Sequence, residues 1–282
     1  MNKDIHGFLS VDKPKGMTSF DVCNVIKKKF KIPKVGHSGT LDPQATGLLI
    51  IALNKATRAI RFLPSTQKIY SVAIEWGLET DSWDLEGKVV RRENKVPDPA
   101  EVAKAIPDLI GDPILPVPYF SAKKLNGQRM YKLAREGDYR KIEKAMRVDK
   151  IEITGDDSLK ITCASGTYVR SIVYQIGEMV GCPATTAELT RLQNNGFDLK
   201  DALTLDHLLQ CETIYDKMVD LNDALKEIKP VYIDRKTYDA LSLGNMPPRA
   251  VFNGSGLFRL VYNGKLAAVT EVGAKIKITN FT

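Results

Sequence analysis

Residues 36–49 of the chain read GHSGTLDPQATGLL, and residues 50–53 continue as IIAL. The apolar residues 48–53 have the length and composition of a strand that is buried on both faces. Pro43 fixes its own backbone and pushes Asp42 toward an extended conformation, while Gly36 and Gly39 permit close backbone approaches. The segment therefore predicts a constrained loop that carries one carboxylate and leads into a core strand.

The charge around this loop is uneven. Asp42 is the only carboxylate between Asp21 and Glu75, an interval that contains nine lysine and arginine residues. A lone carboxylate beside a hydrophobic run is costly to desolvate unless it gains a partner such as an arginine. Two interpretations fit these residues equally well: Asp42 is a working group, or it caps an Asp-Pro turn.

The length and composition limit the class of protein. A chain of 282 residues predicts one large domain and a small one. Apolar residues make up 43% and charged residues 27%, no run approaches the length of a membrane span, and residues 1–6 begin no secretory signal. We therefore expect a cytoplasmic protein that does not associate with membranes.

Cysteine and histidine residues are few and scattered. The cysteines at 23, 163, 182 and 211 form no C-x-x-C pair, and the chain has three histidines. A disulfide framework and a zinc site are both unsupported by this pattern. We expect no metal and no other cofactor.

Basic residues concentrate in three segments of the chain. Lysine and arginine outnumber acidic residues by 8 to 3 in residues 1–40, by 10 to 4 in residues 121–150 and by 8 to 3 in residues 229–282. Residues 75–112 reverse the balance, with 5 basic and 10 acidic residues. Several basic patches suit a protein that binds a polyanion along its length, although any one patch could be a solvated surface.

Two further segments contain a tyrosine and an arginine of interest. Residues 68–77 alternate as a half-buried strand with Tyr70 on the apolar face, where a strand tyrosine is by itself best interpreted as a core residue. Residues 166–181 predict a helix with an apolar stripe that ends at Gly181. Arg170 lies in the first turn of this helix, where the dipole disfavours a cation, so we expect an anionic partner. Asp42 is the candidate.

The remaining elements follow from periodicity and turn residues. The sequence predicts a short strand over residues 7–13, a helix capped by Ser19, a short helix over residues 99–111, a hairpin over residues 151–163 and a helix over residues 201–210. From residue 229 the pattern changes to short strands, and Asn263-Gly264 predicts a hairpin with a type I′ turn.

Several of these segments together resemble the TruB family, the tRNA pseudouridine synthases that isomerise uridine 55 in the T arm. The resemblance is carried by the loop of residues 36–49 and recurs along the chain. The other matching segments are KPKGMTS at 13–19, KIY and GLETDSWDLEG within 68–87, PVPYFSAKKLNGQRMYKLAREG at 116–137, GTYVR at 166–170 and AELTRLQNNGF at 187–197.

The resemblance implies a fold and a domain organisation. The expected fold is mixed α/β (α+β), with a pseudouridine synthase core, a central and mostly antiparallel sheet and a catalytic cleft. Residues 1–228 would form the catalytic domain, with a basic RNA-clamping insertion at about 121–150. Residues 229–282 would form a small β-rich, PUA-like RNA-binding domain.

The resemblance also implies roles for individual residues. Asp42 would be the catalytic carboxylate and Arg170 its partner, while Tyr70 would pack on the target base and assist removal of its C5 proton. Lys13 and Pro14 would support the site structurally. The substrate pocket would be shaped by His37, Tyr168 and Leu189, and Thr190 stands where the family usually has an arginine.

The implied reaction breaks the N1–C1′ glycosidic bond, rotates the base and forms a C5–C1′ bond. A carboxylate can attack C1′ or C6, or remove the 2′ proton, without a cofactor. Two other functions share these features: a tRNA-folding chaperone without catalysis, and a guide-RNA-dependent synthase subunit. The second usually carries longer basic extensions, which this sequence lacks, so we expect a stand-alone enzyme that acts on the tRNA T arm and needs no obligatory protein partner. We also expect it to be a monomer.

Overall fold

A computed structural model describes residues 5–282 except 65, 66, 122, 126 and 140. Its strands, in chain order, are β1 Gly7–Lys13, β2 Val35–Ser38, β3 Thr46–Leu53, β4 Lys68–Trp76, β5 Leu78–Thr80, β6 Val89–Arg92, β7 Ile114–Pro116, β8 Lys124–Leu125, β9 Gln128–Arg129, β10 Glu143–Ala145, β11 Val148–Gly155, β12 Ser158–Cys163, β13 Ala184–Asn194, β14 Phe197–Asp198, β15 Leu203–Thr204, β16 Val219–Asp220, β17 Lys229–Tyr232, β18 Gly256–Tyr262, β19 Lys265–Val272 and β20 Ile276–Asn280.

The α-helices are α1 Ser19–Lys29, α2 Ala56–Ala59, α3 Pro99–Ala105, α4 Met130–Arg135, α5 Val169–Met179, α6 Leu205–Gln210, α7 Leu221–Ala224 and α8 Arg235–Ser242. Short 3₁₀ helices span Ile60–Phe62, Ile106–Leu109, Leu199–Asp201, Tyr215–Lys217 and Arg249–Val251.

A large mixed sheet forms the centre of the molecule. Its main path has the order β11-β12-β4-β13-β3-β1-β15, and β2, β14 and β16 pair with β3, β13 and β1. Most neighbours are antiparallel, whereas β13 with β3 and β1 with β15 are parallel. The predicted α+β architecture with a mostly antiparallel central sheet is confirmed.

Strand β3 lies in the middle of this sheet, and residues 48–53 are fully buried. It pairs with β1 along the whole length of that strand, and β2 pairs with its C-terminal half. The side chains of β3 alternate between two hydrophobic clusters on opposite faces of the sheet. The predicted strand that is buried on both faces is therefore confirmed, and it begins directly after the Asp42 loop.

Helices α1 and α5 cover one face of the sheet. Helix α1 begins with a capping box in which Thr18 and Asp21 exchange hydrogen bonds, so the N-cap is Thr18 and the predicted cap at Ser19 was wrong by one residue. The side chain of Ser19 is buried and bonds to the backbone of Leu41 instead. This contact ties the start of α1 to the Asp42 loop.

Two predicted helices are shorter than expected. Helix α3 ends at Ala105 and continues as the 3₁₀ turn Ile106–Leu109, because Pro107 cannot extend an α-helix. The predicted helix over residues 201–210 was wrong in its first half. Leu203 and Thr204 form β15, which pairs in parallel with β1, and α6 starts only at Leu205 with Thr204 as its N-cap.

Residues 229–282 form a small β domain. Strands β17 to β20 make a four-stranded sheet, and the turn at Asn263 and Gly264 has φ of 47° and 75°. The predicted hairpin is confirmed, since a type I′ turn requires positive φ at both positions. Part of this domain packs on the face of the central sheet opposite to α1, through Leu266, Val269 and Phe281.

The basic segment of residues 121–150 contains the β8–β9 hairpin, α4 and β10, which pairs with β7. Tyr139 is exposed and lies edge-on against Tyr119 at 5.3 Å between ring centroids. The expected stacking surface of Tyr131 and the charge at position 140 lie outside the described side chains and residues. The role of the segment as an RNA clamp stays a prediction.

Candidate active site

The Asp42 loop joins β2 to β3 and is held from several sides. The Ser19 hydroxyl donates to Leu41 O at 3.1 Å, and the Leu41 amide donates back to Ser19 Oγ at 2.9 Å. Lys13 Nζ donates to Pro43 O at 3.1 Å, and the Gly16 amide donates to the same oxygen at 2.8 Å. These contacts fix the backbone on both sides of Asp42, whose own side chain remains 42% exposed.

Arg170 is the partner of Asp42. Its Nη2 lies 2.8 Å from Asp42 Oδ2, so the pairing predicted from the helix position is present. The arginine is 4% exposed and also donates to Ser82 O at 2.6 Å, to Asp84 Oδ2 at 3.0 Å and to Phe120 O at 3.1 Å. A guanidinium held by four acceptors from three segments of the chain has little freedom to move. It therefore presents Asp42 in a fixed position.

Asp84 is a second carboxylate at the site, and the sequence analysis assigned it no role. Its Oδ1 accepts from Ser82 Oγ at 2.6 Å and from the Glu86 amide at 3.1 Å, while its Oδ2 contacts Arg170. Asp84 is thus oriented by its own turn and not by the cleft. The signal that could have identified it is the acidic GLETDSWDLEG segment, although only the folded chain shows that Asp84 is the acid of this segment that contacts Arg170.

Asp42 opens onto a cleft of about 1030 Å³. Its lining includes Phe20 at the start of α1, His37 of β2 and side chains from residues 81–88 and 120–121. A smaller hollow beside it shares Asp42 and Arg170 and includes Leu189. A carboxylate at the junction of these spaces can contact a bound base or sugar.

Tyr70 lies behind the loop on β4, is 7% exposed and belongs to the main hydrophobic cluster. Its β13 neighbour Arg191 is fully buried and donates to Leu48 O at 2.8 Å and to Gly39 O at 3.0 Å. Burial raises the pKa of Tyr70, whereas the charge of Arg191 acts in the opposite direction. Arg191, like Asp84, was given no role from the sequence, although it joins both ends of the loop.

The other predicted pocket residues lie at different depths. Tyr168 is the N-cap residue of α5 and half-buried, and burial together with the charge of Asp42 raises its pKa. Burial and Arg191 lower the pKa of His37, so its neutral form is favoured. Leu189 and Thr190 lie on β13, where Thr190 Oγ1 is 2.8 Å from Thr46 Oγ1. At this position Thr190 joins two strands beside the site.

Lys13 is fully buried below the loop. Its ammonium donates to the carbonyls of Pro14, Met17 and Pro43 at 2.7 to 3.1 Å. Burial lowers its pKa to about 8, which the charge of Asp42 partly opposes. Its three backbone contacts agree with the structural role expected for it.

Across the part of the chain that the structure describes, no group of three or more histidine, cysteine, aspartate or glutamate side chains could hold a metal ion. No helix within the described residues is long and apolar enough to cross a membrane.

Comparison with solved structures identifies the class of fold. The chain superimposes on a chain of the crystal structure of a Cbf5-Nop10-Gar1 complex with a TM-score of 0.70, covering 98% of this chain and 84% of the other at 23% identity. A chain of an H/ACA RNP bound to a substrate RNA containing 2′-deoxyuridine gives a TM-score of 0.69 at 23% identity, covering 94% and 77%. The chain therefore shares the fold of these ribonucleoprotein components.

Sequence comparison defines the family. The N-terminal domain of TruB family pseudouridylate synthases matches residues 27–169. The tRNA pseudouridine synthase B of Clostridium perfringens is 35% identical over 240 residues, which cover 82% of this chain and 81% of that protein. The protein of the same name from Caldicellulosiruptor saccharolyticus is 36% identical over 246 residues, covering 86% and 83%. The chain belongs to the TruB family, and it is a pseudouridine synthase.

Proposed function

We propose that this enzyme converts uridine 55 in the T loop of tRNA to pseudouridine, with Asp42 as its catalytic carboxylate. The observation that carries the proposal is the Asp42–Arg170 pair: a partly exposed carboxylate faces an open cleft and is held at 2.8 Å by a buried arginine. The names of the related proteins from Clostridium perfringens and Caldicellulosiruptor saccharolyticus support tRNA as the substrate.

The reaction is an isomerisation, so no atom is gained or lost overall. Asp42 attacks C1′ or C6, or removes the 2′ proton. The N1–C1′ bond breaks, the base turns and a C5–C1′ bond forms, and the proton lost from C5 is balanced by one gained at N1. Because Arg170 is already bound by Asp84 and two carbonyls, it needs no rearrangement to hold Asp42 during these steps. Fixed electrostatic groups of this kind are an effective form of catalysis in a partly desolvated cleft.

The remaining site residues act on the base and its neighbours. Tyr70 packs against the target uracil and assists removal of the C5 proton, which requires the base to reach a side chain that is now 7% exposed. Leu189 lines the hollow beside Asp42, and His37 lines the cleft. These two residues and Tyr168, at the start of α5, shape the base pocket or hold the displaced nucleotide. A base that is flipped out of the RNA loses its stacking energy. Aromatic contacts in the pocket offset part of that free energy.

The catalytic domain comprises residues 1–228, including the clamping insertion at about 121–150, and residues 229–282 act as a PUA-like RNA-binding domain. The basic composition of the insertion and of the small domain supports contact with RNA phosphates. We expect the enzyme to work in the cytoplasm as a monomer without an obligatory protein partner.

The test is to incubate the purified protein with an unmodified tRNA transcript and to map pseudouridine at single-nucleotide resolution. The expected result is one modification at the T-loop uridine, which Asp42→Asn abolishes while RNA affinity stays within about threefold, since the two side chains have the same shape. Asp156→Asn, an exposed change in the β11–β12 turn, is the control for the same loss of charge. Product formation by Asp42→Asn would overturn the assignment, and tight binding without modification by the wild-type protein would favour a chaperone or a guide-dependent subunit.

A further inference from the structure

Helix α1 carries a row of side chains that the proposed reaction does not use. Phe20, Asn24 and Lys27 are spaced by four and three residues, so they follow one face of the helix, on which Asn24 is half-buried. Lys31 lies two residues beyond the end of the helix and is exposed. Lys28 lies beside Lys27. These five residues are called the α1 stripe. The opposite face is buried in the core through Val22, Cys23 and Ile26.

One end of the α1 stripe lies in the active-site cleft. Phe20 is 67% exposed and lines the same cleft as Asp42 and Arg170. The residues around it are fixed: Thr18 forms the capping box on one side, and the buried Ser19 bonds to the Asp42 loop. The backbone that carries this exposed aromatic ring is thus tied to the loop of the proposed catalytic carboxylate.

The other end of the α1 stripe is a basic hollow. Asn24, Lys27, Lys28 and Lys31 line a concavity of about 570 Å³ together with Ile32 and Pro33. Among the described residues, none of these three lysines forms an ion pair. Lysines at a helix C-terminus stabilise the helix dipole, but that effect explains neither the hollow nor the exposed aromatic ring at the opposite end.

The two ends are separated by about the length of α1. Helix α1 has 11 residues and therefore spans about 16 Å at about 1.5 Å per residue. Residues 81–88, which also line the cleft, carry Asp81, Asp84 and Glu86 against Lys88, so this segment has a net negative charge that disfavours phosphates. A backbone that leaves the cleft is therefore favoured along α1 and away from that segment.

We propose that the α1 stripe is a binding track for the RNA strand that leaves the active-site cleft. Phe20 stacks on an unpaired base next to the target nucleotide, and Lys27, Lys28 and Lys31 contact successive backbone phosphates. Aromatic stacking next to a cationic groove is the combination by which proteins bind single-stranded nucleic acid. The inference rests on the proposed function, because it takes the substrate to be an RNA whose target uridine reaches Asp42.

Variants at the two ends of the track should change different quantities. The experiment measures the equilibrium affinity for an unmodified tRNA transcript between about 50 and 200 mM salt. Each lost phosphate contact lowers the slope of log K against log salt by about 0.7 to 0.9. The triple variant Lys27→Gln, Lys28→Gln, Lys31→Gln should therefore flatten the slope by about 2. Phe20→Ala should weaken binding about fivefold or more at every salt concentration without changing the slope, and Phe20→Trp should restore the affinity.

The control is a triple variant with the same charge change away from the track, Lys104→Gln, Lys217→Gln and Lys226→Gln, all at exposed positions. It should keep the wild-type slope. The proposal is overturned if the stripe variant keeps that slope, if the control flattens it equally, or if Phe20→Ala binds as the wild type does. Failure of the proposed function is seen separately, as absence of pseudouridine in the wild-type reaction on the same transcript.

Discussion

At the scale of single residues, the site depends on one arginine shared between two carboxylates. Arg170 is 4% exposed, so its charge would be unfavourable in the core without them. Asp42 and Asp84 have different environments: Asp42 is 42% exposed toward the cleft, whereas Asp84 is 18% exposed and already bound by its own turn. Asp84 therefore positions the arginine, and Asp42 is the carboxylate that remains available to a substrate.

This division of roles predicts the effect of Asp84→Asn. The variant removes one of the two negative charges on Arg170 and loosens the guanidinium that holds Asp42. We expect the turnover number to fall about 10- to 100-fold, because small misplacement of a reacting group costs roughly that much, while RNA affinity changes little. Single-turnover kinetics and filter binding measure the two effects. Asp81→Asn removes a nearby charge that bonds to the Lys88 amide and not to Arg170. An equal loss in both variants would contradict the positioning role.

The sequence predicted the pairing of Asp42 with Arg170, because both residues occupy positions where an isolated charge is unfavourable. Asp84 and Arg191 could not be predicted in the same way. Asp84 is one of several acids in its segment, and only the turn at residues 82–86 decides which of them faces Arg170. Arg191 looks like an ordinary strand arginine until pairing with Tyr70 places it in the core.

At the scale of elements, the close parallel contact between β3 and β13 fixes the end of the Asp42 loop. Only Thr46 and Gly47 of β3 pair with β13, opposite Thr190 and Arg191. Gly47 has φ of +92°, and a Cβ there would lie 2.4 Å from Arg191 O and 2.8 Å from Arg191 N. A side chain at this position would force β3 and β13 apart beside the hydrogen bond from Arg191 to Leu48 O.

Gly47→Ala should therefore destabilise the protein by about 2 to 5 kcal/mol, from the strained backbone and from overpacking against a neighbouring strand. Denaturant unfolding measures this change, and the activity of the folded fraction should fall as the loop moves. Gly273→Ala is the matched control, since its Cβ would meet nothing closer than Lys275 O at 3.9 Å, and it should stay within about 0.5 kcal/mol of the wild type. Equal stability of both variants would show that the strands can separate without penalty.

The observed helix and strand boundaries agree with the predicted ones where the local sequence signal is strong. They differ where pairing with a distant strand determines the structure. The β3 strand and the Asn263-Gly264 hairpin are specified by their own residues. Residues 201–204 were predicted as the start of a helix over residues 201–210. Leu203 and Thr204 instead pair in parallel with Val11 and Asp12 of β1. Periodicity within a short segment carries no information about such a pairing.

At the scale of the whole molecule, the small β domain contributes side chains to the hydrophobic core of the central sheet. Leu266, Val269 and Phe281 share one hydrophobic cluster with Phe8 of β1 and with β3 side chains that lie directly behind the Asp42 loop. Lys55 Nζ donates to Phe281 O at 3.0 Å, and Arg61 bonds to Thr279. The change to short strands at residue 229 predicted a separate domain, but it could not show that this domain completes the hydrophobic cluster on one face of β3.

A shared core predicts that both domains unfold together. Phe281 is 4% exposed, and Phe281→Ala should lower the free energy of unfolding of the whole protein by about 3 to 5 kcal/mol in a single transition. Leu243→Ala, at an 82% exposed position of the same domain, should leave stability within about 0.5 kcal/mol. Calorimetry together with intrinsic fluorescence of Trp76 and Trp83, both in the catalytic region, measures the coupling. If Phe281→Ala produced an early transition that the tryptophans did not report, the small domain would unfold on its own; a coincident shift instead means that residues 229–282 stabilise the strand that carries the Asp42 loop.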